Sequence, residues 1–372
     1  MKKGTIATTE QYKSGGALFA RLLLHWHQTE NKRQMPWKGE KDLYRIWLSE
    51  IMLQQTRVEQ GLPYFERFVA AFPTIRQLAD ALDGQVMKLW EGLGYYSRCR
   101  NLLATARHIA YDLDGHFPKT YEAILALKGV GPYTAAAIAS FAYNLPHAVL
   151  DGNVYRVLSR IHGIDTPTGS TEGKALFANL AQQQLPEGQA AAYNQAIMDF
   201  GAVVCKPLPE CSGCFFREHC AAFQQGRQLS LPVKEKSLQV SERHFFYLVL
   251  RHGNEVALHQ RQGRDIWEGL WQFLLFETAA AATWQLIEAE AAKAWNLQPA
   301  QYKRIGTRFS IKQRLTHRVV HLAFEQLELT EKADREGLQW VPISQLDDYP
   351  FPKSIRQFVT EELLGGNGQG MV

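Results

Sequence analysis

The sequence predicts a multidomain chain, a mainly α amino-terminal part followed by an α+β carboxy-terminal part. From Ala17 to about His219, apolar residues recur at helical spacing, among them Ile46, Leu53, Ile124, Leu127, Ala137, Phe141, Val154, Val157, Leu158 and Ile161. Between Gly226 and Ser241 the run GRQLSLPVKEKSLQVS is polar and holds a proline, which marks a linker. Beyond it, FFYLVLR (Phe245 to Arg251) and VALHQR (Val256 to Arg261) are rich in β-formers and are joined by His252-Gly253-Asn254-Glu255 as a hairpin turn. A helix-like segment from Thr283 to Trp295 precedes strand-like runs around Val319 to Phe324 and Leu338 to Val341, which makes the second part α+β. The expected boundaries are 1–225 for the helical domain, 226–240 for the linker and 241–372 for the second domain. The closing GGNGQGMV has nothing to bury and is expected to be disordered.

A chain of 372 residues, 46% hydrophobic and 21% charged, can bury two cores. The segment from Met1 to Gly16 has neither the apolar core nor the small-residue cleavage site of a secretion signal, and no later stretch is long enough to span a bilayer. A net charge of +4 admits a nucleic-acid partner without requiring one. Of the five cysteines, four crowd into one stretch and only Cys99 lies elsewhere. That distribution reads as a metal site in a reducing compartment, not as a disulfide framework.

Four segments carry chemistry. In LKGVGPYTAAAIASFA, Leu127, Gly129, Val130 and Gly131 form a tight turn between two helices, and amides at the start of the second helix can face a phosphate oxygen. A plain helix–helix connection has the same look. Asp151, followed by Gly152, Asn153 and the helical spacing of Val154, Val157 and Leu158, reads as a helix cap. Glu50 stands among Ile46, Trp47, Ile51, Met52 and Leu53, surroundings that raise a carboxyl pKa and let the group hold a proton for general acid catalysis, unless it lies on a solvated stripe. Cys205, Cys211, Cys214 and Cys220 are separated by five, two and five residues, a compact loop able to wrap one metal centre, zinc included.

In this order, over about Gly16 to Phe358, these segments resemble the adenine DNA glycosylases of the MutY type. The resemblance rests on SEIMLQQT (Ser49 to Thr56), GVGPYT (Gly129 to Thr134), VLDGNVYRVLSR (Val149 to Arg160), the four-cysteine loop and WEGLWQF (Trp267 to Phe273). It implies a helix-hairpin-helix glycosylase domain with an iron–sulfur loop, and a Nudix-like carboxy-terminal domain. The implied activity is hydrolysis of the glycosidic bond of adenine mispaired with 8-oxoguanine or guanine in duplex DNA, as part of base excision repair.

Under that resemblance Glu50 protonates the adenine at nitrogen 7, Asp151 stabilises the sugar cation or adds to it transiently, and Asn153 positions Asp151 or the water. Tyr133 stands where the lyase-type relatives carry lysine, and Lys128 lies before the hairpin, so hydrolysis without an efficient lyase step is implied. Gly129 and Gly131 approach the DNA backbone, Gln54 and Gln55 fill the stack left by the extruded base, and Tyr95 wedges beside the facing base. Tyr96 is expected in the core, and Arg98 and Arg100 at phosphates or on a solvated face.

Leu315, Thr316 and His317, in KQRLTHRVVHL, read by themselves as an exposed β-hairpin with incidental histidines; under the resemblance they occupy the place of a Phe-Ser-His loop that reads 8-oxoguanine, with Leu315 replacing the aromatic. The four cysteines are implied to hold a 4Fe–4S cluster of structural, DNA-facing role, although the first spacing is five residues where six is commoner in the family. WQLIEAEAAKAW lacks the glutamate-rich box of a working Nudix site, which argues against pyrophosphatase activity. A monomer working on duplex DNA in a bacterial cytoplasm, associated with the nucleoid and with no membrane, completes the expectation.

Overall fold

The computed structural model describes residues 9–235, 240–295 and 297–365. The expectations for residues 1–8, for the middle of the linker (236–239) and for the tail from 366 onward lie outside the described residues. The chain divides into two compact units, one built from residues 1–80 and 101–236 and the other from 81–100 and 237–372. The segment 81–100 therefore contributes to the second unit from within the first half of the chain.

The first unit is helical. Its core is assembled from Phe19, Leu158, Phe177, Tyr193 and Phe200, each at most 1% exposed. Two helices position the site. Gly152–His162 buries Val154, Val157, Leu158 and Ile161 along one stripe, begins where Asp151 accepts from Val154 N, and ends at Gly163, whose φ of 68° is the left-handed conformation glycine adopts without strain. Pro132–Tyr143 begins with proline in its first turn and is buried from Thr134 to Ser140. Alanines at 135, 136, 137 and 139 let neighbouring helices approach it closely. The start of the expected linker is tied down rather than loose. Leu231 is buried, its carbonyl accepts from Arg160 Nε at 3.0 Å, and Val233 O accepts from Thr168 N at 3.1 Å.

The second unit is a mixed sheet with helices. Its strands are β1 (Ser241–His252), β2 (Glu255–Gln260), β3 (Trp271–Gln272), β4 (Leu274–Thr278), β5 (Tyr302–Arg314), β6 (Arg318–Leu329) and β7 (Gln339–Pro342). They run in the order β3-β2-β1-β6-β5, with β4 also on β1 and β7 also on β2. The β1–β2 hairpin turns as expected, with His252 paired to Glu255. β1 and β6 are parallel, which places Glu242 beside Val319 and His244 beside His321.

One face of the sheet packs Phe246, Leu248, Leu250 and Leu327 under Ile287 and Ala291 of the helix Trp284–Trp295. Aromatic rings form a second core, in which Phe324 and Phe358 stack at 4.3 Å and Phe273 packs edge-on against both. Most of β5 was not expected from the sequence, only its end, which lies in the hairpin reading of KQRLTHRVVHL. Its YKRIGTRFSIKQR is mostly exposed, and a register shift between Ile305 and Phe309 breaks its alternation, so the period-two signal is weak. None of the described helices is long and apolar enough to cross a membrane.

Candidate active site

Glu50, Tyr133, Asp151 and Asn153 line one cavity of about 580 Å³ in the helical unit, together with Trp37 and Met198. Four residues chosen from three separate sequence segments thus meet at a single concave site, whose volume falls in the about 300–1,000 Å³ range of ligand pockets. Glu50 is not on a solvated stripe: it is 7% exposed, on the helix Leu43–Met52 between buried Ser49 and Ile51. Burial pushes its carboxyl up to about 7, helped by the charge of Asp151, while the nearby Tyr133 hydroxyl acts in the opposite sense. The Tyr133 hydroxyl lies 3.5 Å from Met198 Sδ, and burial beside the two carboxylates holds its own pKa well above that of a free phenol.

Asp151 is anchored through both carboxylate oxygens. Its Oδ1 accepts from Val154 N at 2.7 Å and its Oδ2 from Asn153 Nδ2 at 2.9 Å. Burial raises its pKa, while these two donors and the charge of Arg156 favour the anion. Asn153 is itself fixed, because Arg156 Nη2 donates to its Oδ1 at 2.7 Å and also to Gly201 O at 2.7 Å. A Cβ at Gly201 would come within 2.7 Å of Asn153 Cβ, so glycine there admits the helix carrying Asn153.

Sequence reading missed a buried charge network on the same cavity. Asp199 has no exposed side chain and accepts from Arg33 Nη1 at 2.8 Å, Asn31 Nδ2 at 2.8 Å, Gln195 Nε2 at 2.9 Å and Lys38 Nζ at 3.2 Å. It ties the segment 31–38, which lines the cavity, to the helix Ala190–Val203. The available signal was an aspartate inside the apolar run AIMDFGAVV.

The glycine turn behaves differently at its two glycines. Gly129 has φ of +81°, and a Cβ there would meet Asn101 Cβ at 2.7 Å, so it is required by both conformation and space. Gly131 has φ of −95° and open space where a Cβ would lie, so no turn demands it; its backbone is simply left uncovered at the helix start. The Lys128 carbonyl accepts from Thr105 Oγ1 at 2.9 Å. Gln54 faces inward, its Nε2 donating to Thr134 Oγ1 at 3.0 Å and to Gly129 O at 3.3 Å. Gln55 is exposed with φ of 58°, a conformation disfavoured for any residue with a Cβ and frequent where a side chain is presented to a ligand.

Cys205, Cys211, Cys214 and Cys220 surround one small cavity of about 20 Å³. A single zinc ion binds thiolates at about 2.3 Å and so needs sulfurs under about 4 Å apart. Among the described residues the only three ligand atoms within 4.8 Å of one another belong to Glu242, His244 and His321, so no three of these thiols stand at single-ion spacing. Four converging thiols set farther apart fit a polynuclear iron–sulfur centre, and the five-residue first spacing does not prevent their convergence.

Two arginines one turn apart, also missed, hold this loop to the Asp151 helix. Arg156 Nε donates to Cys205 O at 2.8 Å, and Arg160 donates to Lys206 O at 2.6 Å, Pro207 O at 2.9 Å and Cys205 Sγ at 3.4 Å. Burial pushes the Cys214 thiol up to about 11.

In the sheet unit, Tyr95 is 42% exposed with φ of 49°, and its hydroxyl is hydrogen-bonded to Thr316 Oγ1. Leu315, Thr316 and His317 form the turn between β5 and β6, with Leu315 half-buried and the other two exposed. The His317 carbonyl accepts from Ser241 N at 3.2 Å. Tyr96 is buried as expected. Arg98 corrects its expectation: it is neither solvated nor free for phosphate, being 7% exposed with its guanidinium over the Trp90 ring and Nη2 3.2 Å from Gly94 O. Arg100 is likewise engaged internally, donating to Glu268 O at 2.6 Å and to its carboxylate at 2.7 Å.

The helical unit, with its hairpin and capped aspartate, has the fold of a DNA-repair glycosylase. Residues 48–182 match the HhH-GPD superfamily of base excision DNA repair proteins, and residues 246–361 match the NUDIX domain. A thermostable thymine-DNA glycosylase superposes over 59% of this chain and all of its own, with a TM-score of 0.51 and 27% identity. Endonuclease III, trapped covalently on DNA, superposes over the same share at a TM-score of 0.50 and 16% identity, which speaks to fold alone.

Adenine DNA glycosylase of Buchnera aphidicola subsp. Acyrthosiphon pisum is 31% identical over 266 residues, 71% of this chain and 76% of its own length. The enzyme of the Schizaphis graminum subspecies is 29% identical over 92% of this chain and 98% of its length. That of Rattus norvegicus is 44% identical over 58% of this chain and 44% of its own. The chain belongs to the adenine DNA glycosylase family, DNA N-glycosylases of base excision repair.

Proposed function

We propose that this chain excises adenine mispaired with 8-oxoguanine, or with guanine, from duplex DNA by hydrolysis, without an efficient lyase step. The observation that carries the reading is the pairing of two carboxyls with opposed needs in one cavity. Glu50 is held protonated near neutrality, whereas Asp151 is furnished with donors that fit its anion. Glu50 gives its proton to nitrogen 7 of the extruded adenine, and the base takes the electron pair of the glycosidic bond as it leaves. Asp151 stabilises the resulting positive sugar or bonds to it transiently, and water supplies the oxygen that ends at the anomeric carbon. The water's proton restores Glu50. Asn153, locked between Asp151 and Arg156, keeps the carboxylate aimed.

Tyr133 is half-buried and keeps its phenol proton, so the residue at the lyase position is no amine nucleophile. Gln55 fills the gap in the stack with its strained, exposed side chain, Gln54 braces the hairpin from inside, and Gly129 makes the turn that brings the open backbone at Gly131 to a phosphate. Tyr95 and Thr316, joined by their hydroxyls, meet the facing lesion with His317, and Leu315 supports the turn. Cys205, Cys211, Cys214 and Cys220 hold a 4Fe–4S cluster whose contribution is structural, since hydrolysis consumes no electron. The chain acts as a monomer in the bacterial cytoplasm, associated with the nucleoid.

The test is single-turnover cleavage, with and without alkali, of duplexes carrying adenine opposite 8-oxoguanine, guanine or thymine, for the parent and for Glu50→Gln. Alkali-dependent nicking opposite 8-oxoguanine, lost in the variant, is expected. Nicking without alkali would make the chain a lyase, and equal cleavage of the adenine–thymine duplex would remove the mispair from the reading.

A further inference from the structure

We propose that the sheet unit carries a second metal site, formed by Glu242, His244 and His321 and suited to a divalent cation of the zinc type. The residues lie on adjacent parallel strands. Glu242 and His244 are two apart on β1 and so share a face of the sheet, and His321 on β6 is in register with His244. One ligand atom from each lies within 4.8 Å of the other two. Glu242 Oε2 and His321 Nε2 are 3.4 Å apart, close to the separation that two ligands at about 2.0–2.2 Å take around a tetrahedral ion. The two imidazoles stack with centroids at 4.6 Å and planes 9° apart, so their ring edges can turn toward one point with small side-chain rotations.

The His321 nitrogen asks for a partner of this kind. Nε2 is shielded from solvent and makes no hydrogen bond among the described residues, although a carboxylate oxygen stands at 3.4 Å. A neutral ring with its lone pair on that side would oppose the carboxylate, lone pair against lone pair. A cation between the two atoms converts the opposition into two bonds. Two imidazoles and one carboxylate make a borderline donor set that favours zinc and its late first-row neighbours over calcium or magnesium. His244 and His321 also line a cavity of about 370 Å³, which leaves room for water on the remaining coordination position.

The surroundings are not uniformly favourable. Lys312 pairs with His321 across β5 and β6, and Arg308 lines the same cavity. Lys312 is exposed, so its ammonium can extend into water, and its charge weakens the site without closing it. The bound ion would sit beside the Leu315–His317 turn, fixing β6 just after the turn and the β1 segment whose Ser241 N holds the His317 carbonyl.

The measurement is Zn²⁺ titration calorimetry on the full chain with its cysteine site loaded, without DNA, for the parent, His244→Ala, His321→Ala and Lys312→Gln. All four forms keep the cysteines, so differences among them report on the sheet face alone. One Zn²⁺ per chain is expected in the parent, weakened at least about tenfold, or about 1.4 kcal/mol, by either histidine change and tightened by Lys312→Gln. Zn²⁺ should raise the melting temperature of the parent and of Lys312→Gln only. Zn²⁺ uptake that is equal in the parent and in both folded histidine variants, or absent from the parent and from Lys312→Gln alike, would overturn the proposal.

Discussion

The two units treat their functional side chains in opposite ways. In the helical unit the candidate chemistry is buried: Glu50 is 7% exposed, and burial alone is the largest cause of its raised pKa. In the sheet unit the candidate readers are displayed, with Thr316 and His317 exposed on a turn and Tyr95 at 42% exposure. The contrast teaches where each kind of work is done. A proton must be stored away from water to be delivered at neutral pH, whereas a lesion is recognised by groups that wait, partly wet, for a partner that desolvates them.

That comparison can be broken most sharply at Glu50. Glu50→Gln should lower single-turnover excision by about 10²–10⁴-fold, the usual worth of general acid catalysis, with DNA binding retained. An equal loss of binding would mean that the carboxyl holds the pocket together and does not donate a proton. Next in size is Asp199→Asn, which leaves Arg33 and Lys38 beside a neutral, buried partner. A destabilisation of about 3 kcal/mol in urea unfolding is expected, reduced from the fully buried case because both cations are partly exposed. No change would show that the network is dispensable to the fold.

Burial of Glu50 also has a pH signature. A carboxyl raised from 4.5 to about 7 keeps its proton in the folded chain through that interval while the unfolded chain releases it. Stability from this group is therefore full below about 4.5 and declines as pH climbs to about 7. Glu50→Gln should be more stable than the parent above pH 7, by at most about 3 kcal/mol, and this advantage should disappear in acid. An advantage independent of pH would contradict the raised value. The smallest effect belongs to the displayed turn. Thr316→Val removes one exposed hydroxyl and should reduce the preference for 8-oxoguanine over guanine by about 1 kcal/mol, with excision opposite guanine unchanged.

The legible parts of the molecule were those encoded locally. Glu50 among apolar neighbours, Asp151 before a helical stripe and four closely spaced cysteines each declare themselves within a few residues. Asp199 pairs with Arg33, and Arg156 and Arg160 reach the carbonyls of Gly201 and Lys206, all 45 or more residues away, and no short pattern encodes such partners. The same limit misplaced Arg98, which reads as surface charge until Trp90 and Gly94 O are seen beneath it. Most of β5 was hidden for a different reason, because an exposed strand with a register shift has neither the apolar content nor the alternation of a core strand. Gly129 and Gly131 look equivalent in sequence, and only the backbone angles separate the glycine a turn requires from the one it does not.

The most direct test of the central claim is the pH dependence of single-turnover adenine excision opposite 8-oxoguanine, measured over two units on either side of neutrality. Delivery of a proton from Glu50 predicts a rate that falls about tenfold per pH unit above about 7, with Asp151 setting any decline on the acid side. A rate that stays level or climbs above that value would show that the proton comes from elsewhere.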